Sequence, residues 1–452
     1  MKKILNFFSE GNIHKIFLIT AIFLGTIASV MLPIFNDPDG QYHVAVSGKI
    51  AGVNIDLSNY GEIDVGSGMD EQKDSYVNGY HLKKYYFTKY EEIDFNNLPR
   101  NFDYNVKNYV FWGHIIPAIG MKIGSLIYPS LGVVVTFARL ASILVCYISI
   151  FFMIKYLKAG KLIFSAISLT PVWLNQIASL SYDASSYVVV AWFIMLVINL
   201  IYDKKITKNR NFLLLLASIF LLLVAKKNFY LLLLFLPVVY TVFPNDIKVI
   251  EKFRLNINKV MGRINSQRTV FKVIEIAVIL FISLILADIG SKQYGGVIVA
   301  VKRIVRTQIF NDLNWWPDMS WLVSPYPKFN HMPIWIYGMW FAMFVLLLIY
   351  NKRFVSDLSI SITAFLIFIV NILGVYYQYL GFNGAFSGYI MGVQGRYFSP
   401  LLLLFVIIVG FNKFPNVDLS NKSKSILILS LYSLIIISDG LLIFNTIYAL
   451  MA

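Results

Sequence analysis

Charge is what this chain has least of. Only 14% of its 452 residues are charged, against roughly a quarter in soluble domains, which excludes a water-soluble globule. The opposite excess excludes a disordered chain: 58% of the residues are hydrophobic and the mean hydropathy is +0.67. Cysteine is almost absent, and the single Cys146 in an apolar run allows no intrachain disulfide framework. No GxGxxG, P-loop, HExxH or GxSxG pattern occurs in a context that would support it. No soluble domain boundary, tandem repeat or low-complexity tract interrupts the sequence. What remains is apolar and aromatic, with 36 Phe, 28 Tyr and 8 Trp, a composition suited to the aromatic belts of a membrane protein.

A spanning helix needs about 20 mostly apolar residues. Such stretches fall near 15–35, 133–154, 162–182, 184–202, 212–225, 229–243, 271–290, 335–350, 357–377, 397–411 and 425–449. The expected fold is therefore all-α, a single polytopic transmembrane helical bundle over 1–452 with about eleven spans, ten to twelve being admissible. The first span reads as an uncleaved anchor, because its run is long for a signal peptide and has no clear small-x-small site before Pro33. A twelfth apolar stretch, 109–128, carries His114, Pro117 and Lys122.

The net charge of +15 decides how that stretch lies. If 109–128 does not cross and the N-terminus is cytoplasmic, the inner loops are 1–15, 155–161, 203–211, 245–270, 351–357 and 412–424. Those loops and their flanks hold 22 of the 39 basic and 7 of the 24 acidic residues, leaving 17 of each elsewhere. All of the net charge then lies on one side, as the positive-inside rule expects of a multi-pass cell-membrane protein. A nucleic-acid partner is thereby unnecessary, since the basic residues act as topology signals. The expected large outer segments are 36–132, with a re-entrant or interface helix at 109–128, and 291–334, which contains NDLNWWPDMSW. Arg303 and Arg306 sit in an amphipathic stretch suited to a second interface helix, where snorkelling anchors are the simplest role.

The candidate chemistry lies on that outer side. After the first span comes Asn36-Asp37-Pro38-Asp39-Gly40-Gln41-Tyr42-His43. Asp37 before Pro38 reads as a helix N-cap, with Asp39 in the first turn and His43 four residues further on the same face. A carboxylate and an imidazole so placed suit a general base and its orienter, or metal ligands. Asp183, at the outer end of a span, is a candidate substrate contact and, with Asp39 and His43, the only candidate ligand set for a divalent cation. Lys226 and Lys227 interrupt two apolar runs, and suit either a solvated hairpin tip or a phosphate clamp. Gln394 and Arg396 stand among glycines that permit close backbone approach, and Arg139 lies inside a span, where it must pair or face a cavity.

At these residues the chain resembles a family of bacterial polytopic membrane proteins that carries the label of a domain of unknown function and is related in layout to GT-C glycosyltransferases. Its Pro-Asp-Glu-x-x-His-like motif reads here Pro38-Asp39-Gly40-Gln41-Tyr42-His43, with Gly40 replacing the second acid. Further matches are the Arg139 span, Pro171 with Ser179-Leu-Ser-Tyr-Asp183, Ala225-Lys226-Lys227-Asn228-Phe229-Tyr230, and Val393-Gln394-Gly395-Arg396-Tyr397 with Pro400. In order, they cover about residues 30–405. The resemblance implies transfer of a sugar from a polyprenyl-phosphate donor to a cell-envelope glycan, with a first-loop acid as base. Asp39 and His43 would then be catalytic, and Asp183, Lys226, Lys227, Arg396, Gln394 and Arg139 would bind substrate. Membrane lipid is the remaining expected partner. The rival expectations are a polymerase or ligase of lipid-linked oligosaccharides, which would not need Asp39, a transporter or flippase of such lipids, and a scaffold without chemistry.

Overall fold

In the computed structural model, residues 7–61, 67–93, 111–265, 269–309, 321–325, 330–384 and 387–452 are described. Among them the regular structure is helical, with only isolated β-bridges such as Ile55 to Glu92. In chain order the helices are α1 (Ile13–Met31), α2 (Gly40–Ala51), α3 (Ser67–Val77), α4 (Ile115–Ile127), α5 (Leu131–Tyr156), α6 (Lys161–Ser168), α7 (Pro171–Ile177), α8 (Asp183–Asp203) and α9 (Lys208–Val224). There follow α10 (Phe235–Val242), α11 (Lys248–Asn265), α12 (Thr269–Ser291), α13 (Val297–Ile309), α14 (Ile334–Tyr350), α15 (Leu358–Gln378), α16 (Phe405–Ile408) and α17 (Asn421–Met451). Most of the tryptophan-rich stretch 311–321 lies outside the described residues.

Among the described residues, five helices are long and apolar enough to cross a membrane: α1 with its preceding turn, α5, α8, α15 and α17. A sixth candidate, Phe281–Tyr294 with Val297–Thr307, is bent by 75°. Against the expected count of about eleven, several apolar stretches are shorter helices or break into pieces. The stretch 162–182 splits into α6 and α7, because Thr170 accepts from the Trp173 amide and Pro171 opens a new helix at its first position. Every residue of α7 is buried, so this piece is core of the bundle and does not face lipid. The stretches 229–243 and 397–411 likewise begin as 3-10 turns, Lys227–Leu234 and Ser399–Leu404, before a short α-helix. Non-helical backbone of this kind is tolerated at membrane depth when protein surrounds it.

Helix α4 has 13 residues, about 20 Å, and does not reach across a bilayer by itself. It packs tightly on α5 through small residues. A Cβ added to Gly120 would lie 2.4 Å from the Phe137 carbonyl oxygen, and one on Gly124 would lie 2.9 Å from Val134 Cα.

The long helices separate two ends of the bundle. Helix α8 runs 21 residues, about 30 Å, between Asp183 and Asp203. At the Asp203 end the loops expected to be basic meet one another. Lys158 lies 2.5 Å from Asp203, which also pairs with Arg210, while Lys205 pairs with Asp246 at 3.0 Å. Lys352 donates to the Tyr202 hydroxyl at 2.6 Å, Arg353 donates to the Pro415 carbonyl, and Lys424 stands 4.0 Å from Glu10. The charge count from sequence therefore corresponds to one physical end. Helices α1, α8, α9 and α15 carry the chain between it and the end that holds the candidate residues.

Candidate functional site

Helix α1 ends at Met31, and the chain then turns sharply into α2. Arg139 of α5 fixes the turn by donating to the Leu32 and Pro33 carbonyls, each at 2.6 Å. Phe35 and Asp39 both adopt left-handed backbone, with φ of 64° and 61°. Asp tolerates this conformation through local polar contacts, whereas Phe does not, so the turn is held by its surroundings. The expected capping pattern is corrected here: α2 begins at Gly40, its N-cap position is Asp39, and no side chain caps it. Asp37 is instead buried, and that burial pushes its carboxyl up to about 6, against the pull of Arg139 and Arg396. Gly40 is demanded by space. A Cβ there would stand 2.8 Å from Phe35 Cα and 3.1 Å from Asp37 Oδ1.

One turn into α2, His43 faces His114 at the start of α4, with His43 Nδ1 3.0 Å from His114 Nε2. Both rings are buried, and Tyr182 packs against both, with centroids 5.8 and 5.6 Å away. Burial, then His114, Arg396 and Lys226, hold the His43 imidazole well below its ordinary pKa, so it is neutral. The His43 Nδ1 is thereby committed to His114.

Asp183 begins α8 between two cations. Lys226 Nζ lies 2.6 Å from one carboxylate oxygen and Arg396 Nε 3.2 Å from the other. Arg396 is buried and also donates from Nη1 to Gln176 at 3.1 Å. Lys226 stands 4.1 Å from the Tyr397 ring centroid and 5.2 Å from that of Tyr182, adding cation–π attraction from two sides. Its backbone amide donates to Ser186 of α8. Behind this network, Asn228 and Asn371 join the 3-10 turn after Lys226 to α15.

A cavity of about 540 Å³ collects these groups: Asp39, His43, Asp183, Lys226, Lys227 and Arg396 all line it. Asp39 is half-buried and has no ion pair among the described residues, in contrast to Asp183. Lys227 is exposed at the rim. Two expected binding residues stand apart from the cavity lining. Arg139 spends two of its donors on the turn after α1, and Gln394 precedes the 3-10 turn Gly395–Tyr397.

This ordered constellation, on one end of an apolar helical bundle, agrees with what comparison finds. The chain belongs to the DUF2142 family of predicted membrane proteins. The family's profile matches residues 22–405, from within α1 to the start of α16, and so spans every residue of the cavity. Neither the curated proteins nor the solved structures offer a match.

Within this member of the family, no group of three His, Cys, Asp or Glu side chains among the described residues is placed to hold a metal ion. Asp183 turns its oxygens to Lys226 and Arg396, and so does not join Asp39 and His43 as a ligand set. Sequence reasoning missed the roles of His114, Tyr182, Gln176 and Tyr397. His114 had a visible signal, as a polar interruption of an apolar stretch. Tyr182 and Tyr397 adjoin residues already singled out, but an aromatic neighbour of a charge is too common to mark a cation–π cage.

Proposed function

We propose that this protein transfers a sugar from a polyprenyl-phosphate donor to a cell-envelope glycan, in the manner of GT-C glycosyltransferases, at a cavity facing the outside of the cell membrane. The single observation that carries the proposal is the division of labour between two carboxylates in one cavity: Asp183 is neutralised by cations, and Asp39 is not. The outward orientation follows from the basic loops gathered at the opposite end, which the positive-inside rule assigns to the cytoplasm.

In this scheme Asp39 accepts the proton of the acceptor hydroxyl as its oxygen bonds to the anomeric carbon of the sugar. The bond from that carbon to the phosphate oxygen breaks, and the electron pair leaves with the phosphate. Once Asp39 has taken that proton, Lys226, Lys227 and Arg396, less the charge of Asp183, leave two net positive charges around the cavity. That balances the roughly 1.5–2 negative charges of a departing phosphate monoester. His43, which lines the same cavity, supports the acceptor as a neutral imidazole.

A transporter of the same lipids is the second reading, favoured by the broken segments at 168–171, 227–235 and 399–405. One experiment separates the two. In membranes with matched amounts of protein, Asp39→Asn retains the left-handed turn, and transfer should fall by about a hundredfold, the scale of a lost general base. Unchanged transfer would remove Asp39 as the base, and loss of lipid translocation with transfer intact would favour the transporter.

A further inference from the structure

A second cavity, of about 590 Å³, lies at the basic end of the bundle, roughly the length of α8 away from the first. Three separate parts of the chain bring four lysines to it: Lys158 and Lys161 flank the start of α6, Lys352 follows α14, and Lys424 lies in the first turn of α17. The two acids on its wall are Glu10 and Asp418. Lys158 is paired with Asp203, and Lys424 stands 4.0 Å from Glu10. The other two lysines make their hydrogen bonds, among the described residues, to neutral oxygens. Lys161 donates to the Lys155 carbonyl at 3.2 Å, and Lys352 donates to the Tyr202 hydroxyl at 2.6 Å. Neither Lys161 nor Lys352 has a carboxylate within ion-pair distance among the described residues, and the wall sets four lysines against the two acids. The topology rule requires lysines in these loops, but not that they converge on one hollow.

We propose that this cavity is a binding site for a phosphate-bearing anion, held by Lys161 and Lys352. The first turn of α6 adds to the fit: no side chain caps it, Gly160 precedes it with φ of 81°, and Lys161, Leu162 and Ile163 all border the cavity. The same chemistry describes the head group of an anionic phospholipid and a free phosphate. Lysine-lined hollows between membrane helices at the basic face suit such head groups.

The test uses the full chain purified into nanodiscs of phosphatidylcholine, with or without phosphatidylglycerol, and with inorganic phosphate as the soluble probe. Retained lipid is read by native mass spectrometry and protection by the thermal unfolding midpoint. The variant Lys161→Gln/Lys352→Gln removes the two charges. A control, Lys413→Gln/Lys422→Gln, removes two exposed lysines of the same end that do not line the cavity. The expected result is at least tenfold weaker binding in the first variant and near-normal binding in the control, as loss of charge-assisted contacts implies. If the double variant does not fold, each single Gln variant carries the test, with roughly tenfold weaker binding expected of each. Retention of phosphatidylglycerol alone identifies a lipid head group, and protection by phosphate alone identifies a soluble ligand. Equal losses in variant and control, or binding of neither probe, overturn the proposal.

Discussion

Replacing Asp183 by Asn tests the network on which the candidate site is built. The substitution keeps the shape of the side chain and removes the one charge that neutralises both Lys226 and Arg396. The side chains of Asp183 and Arg396 are 5% and 3% exposed, so water cannot take over the lost contact, whereas Lys226 at 15% is partly hydrated. Removing one partner of a buried ion pair typically costs ~3–5 kcal/mol, and the two contacts of 2.6 and 3.2 Å are of that kind. We expect Asp183→Asn to cost about 4 kcal/mol and Lys226→Met about 2, because Asp183 keeps Arg396 when Lys226 is removed. The double variant should cost less than the sum by about 1–2 kcal/mol, since one of the two stranded cations is gone. Reversible unfolding in a fixed detergent, completed as a double-mutant cycle, measures all three. A loss below about 0.5 kcal/mol for Asp183→Asn, the scale of an ordinary surface change, would refute the reasoning, as would strict additivity.

Three further outcomes are expected. Asp37 is displaced upward from 3.8 to about 6, so the folded state resists its ionisation: the penalty is absent below the unfolded value, grows as pH rises through that window, and reaches ~3 kcal/mol above it. Wild type should therefore gain stability on acidification relative to Asp37→Asn, and parallel curves of midpoint against pH would contradict this. Gly40→Glu, which restores the acid of the motif the chain resembles, should destabilise by about 1–3 kcal/mol because its Cβ must displace Phe35, and an unchanged midpoint would show that the turn yields. With Cys146 buried, Asn78→Cys should react with an impermeant thiol reagent from outside intact cells and Lys422→Cys only after the membrane is opened; labelling of both from one side would break the orientation.

Hydropathy made α1, α5, α8, α15 and α17 legible because each is a long run that must satisfy its own backbone. It could not distinguish a spanning helix from a buried, broken one, since 162–182 is as apolar as its neighbours. Thr170-Pro171 was the local signal of the break, a cap followed by proline at the first helical position. Charge bookkeeping did more for the site than any motif. It assigned Asp39, His43, Asp183, Lys226, Lys227 and Arg396 to one face before any contact was known, and all six line one cavity. The shift of the N-cap position from Asp37 to Asp39 was hidden because it depends on two left-handed residues, Phe35 among them, and nothing in the residue types forces Phe into that conformation. Arg139 was correctly expected to need partners, but its partners are backbone carbonyls of the turn after α1, which carry no sequence signal.

The cost of burying Asp183 acquires a purpose if the cations must be in place before a phosphate arrives. Lys226 and Arg396 come from segments about 170 positions apart, and two long flexible side chains would otherwise turn away from each other and toward water. A carboxylate between them holds both at fixed positions on the cavity wall, so in the proposed reaction the site would not need to reorganise as negative charge develops. Full neutralisation would defeat the purpose, and it is avoided because one carboxylate faces two cations, with Lys227 exposed at the rim as a third. Asp39 is spared that neutralisation by the turn that Arg139 secures, which leaves it as the one cavity carboxylate without an ion pair among the described residues. The two acids of the cavity are thus set apart by their surroundings, one spent on positioning cations and the other left able to take a proton.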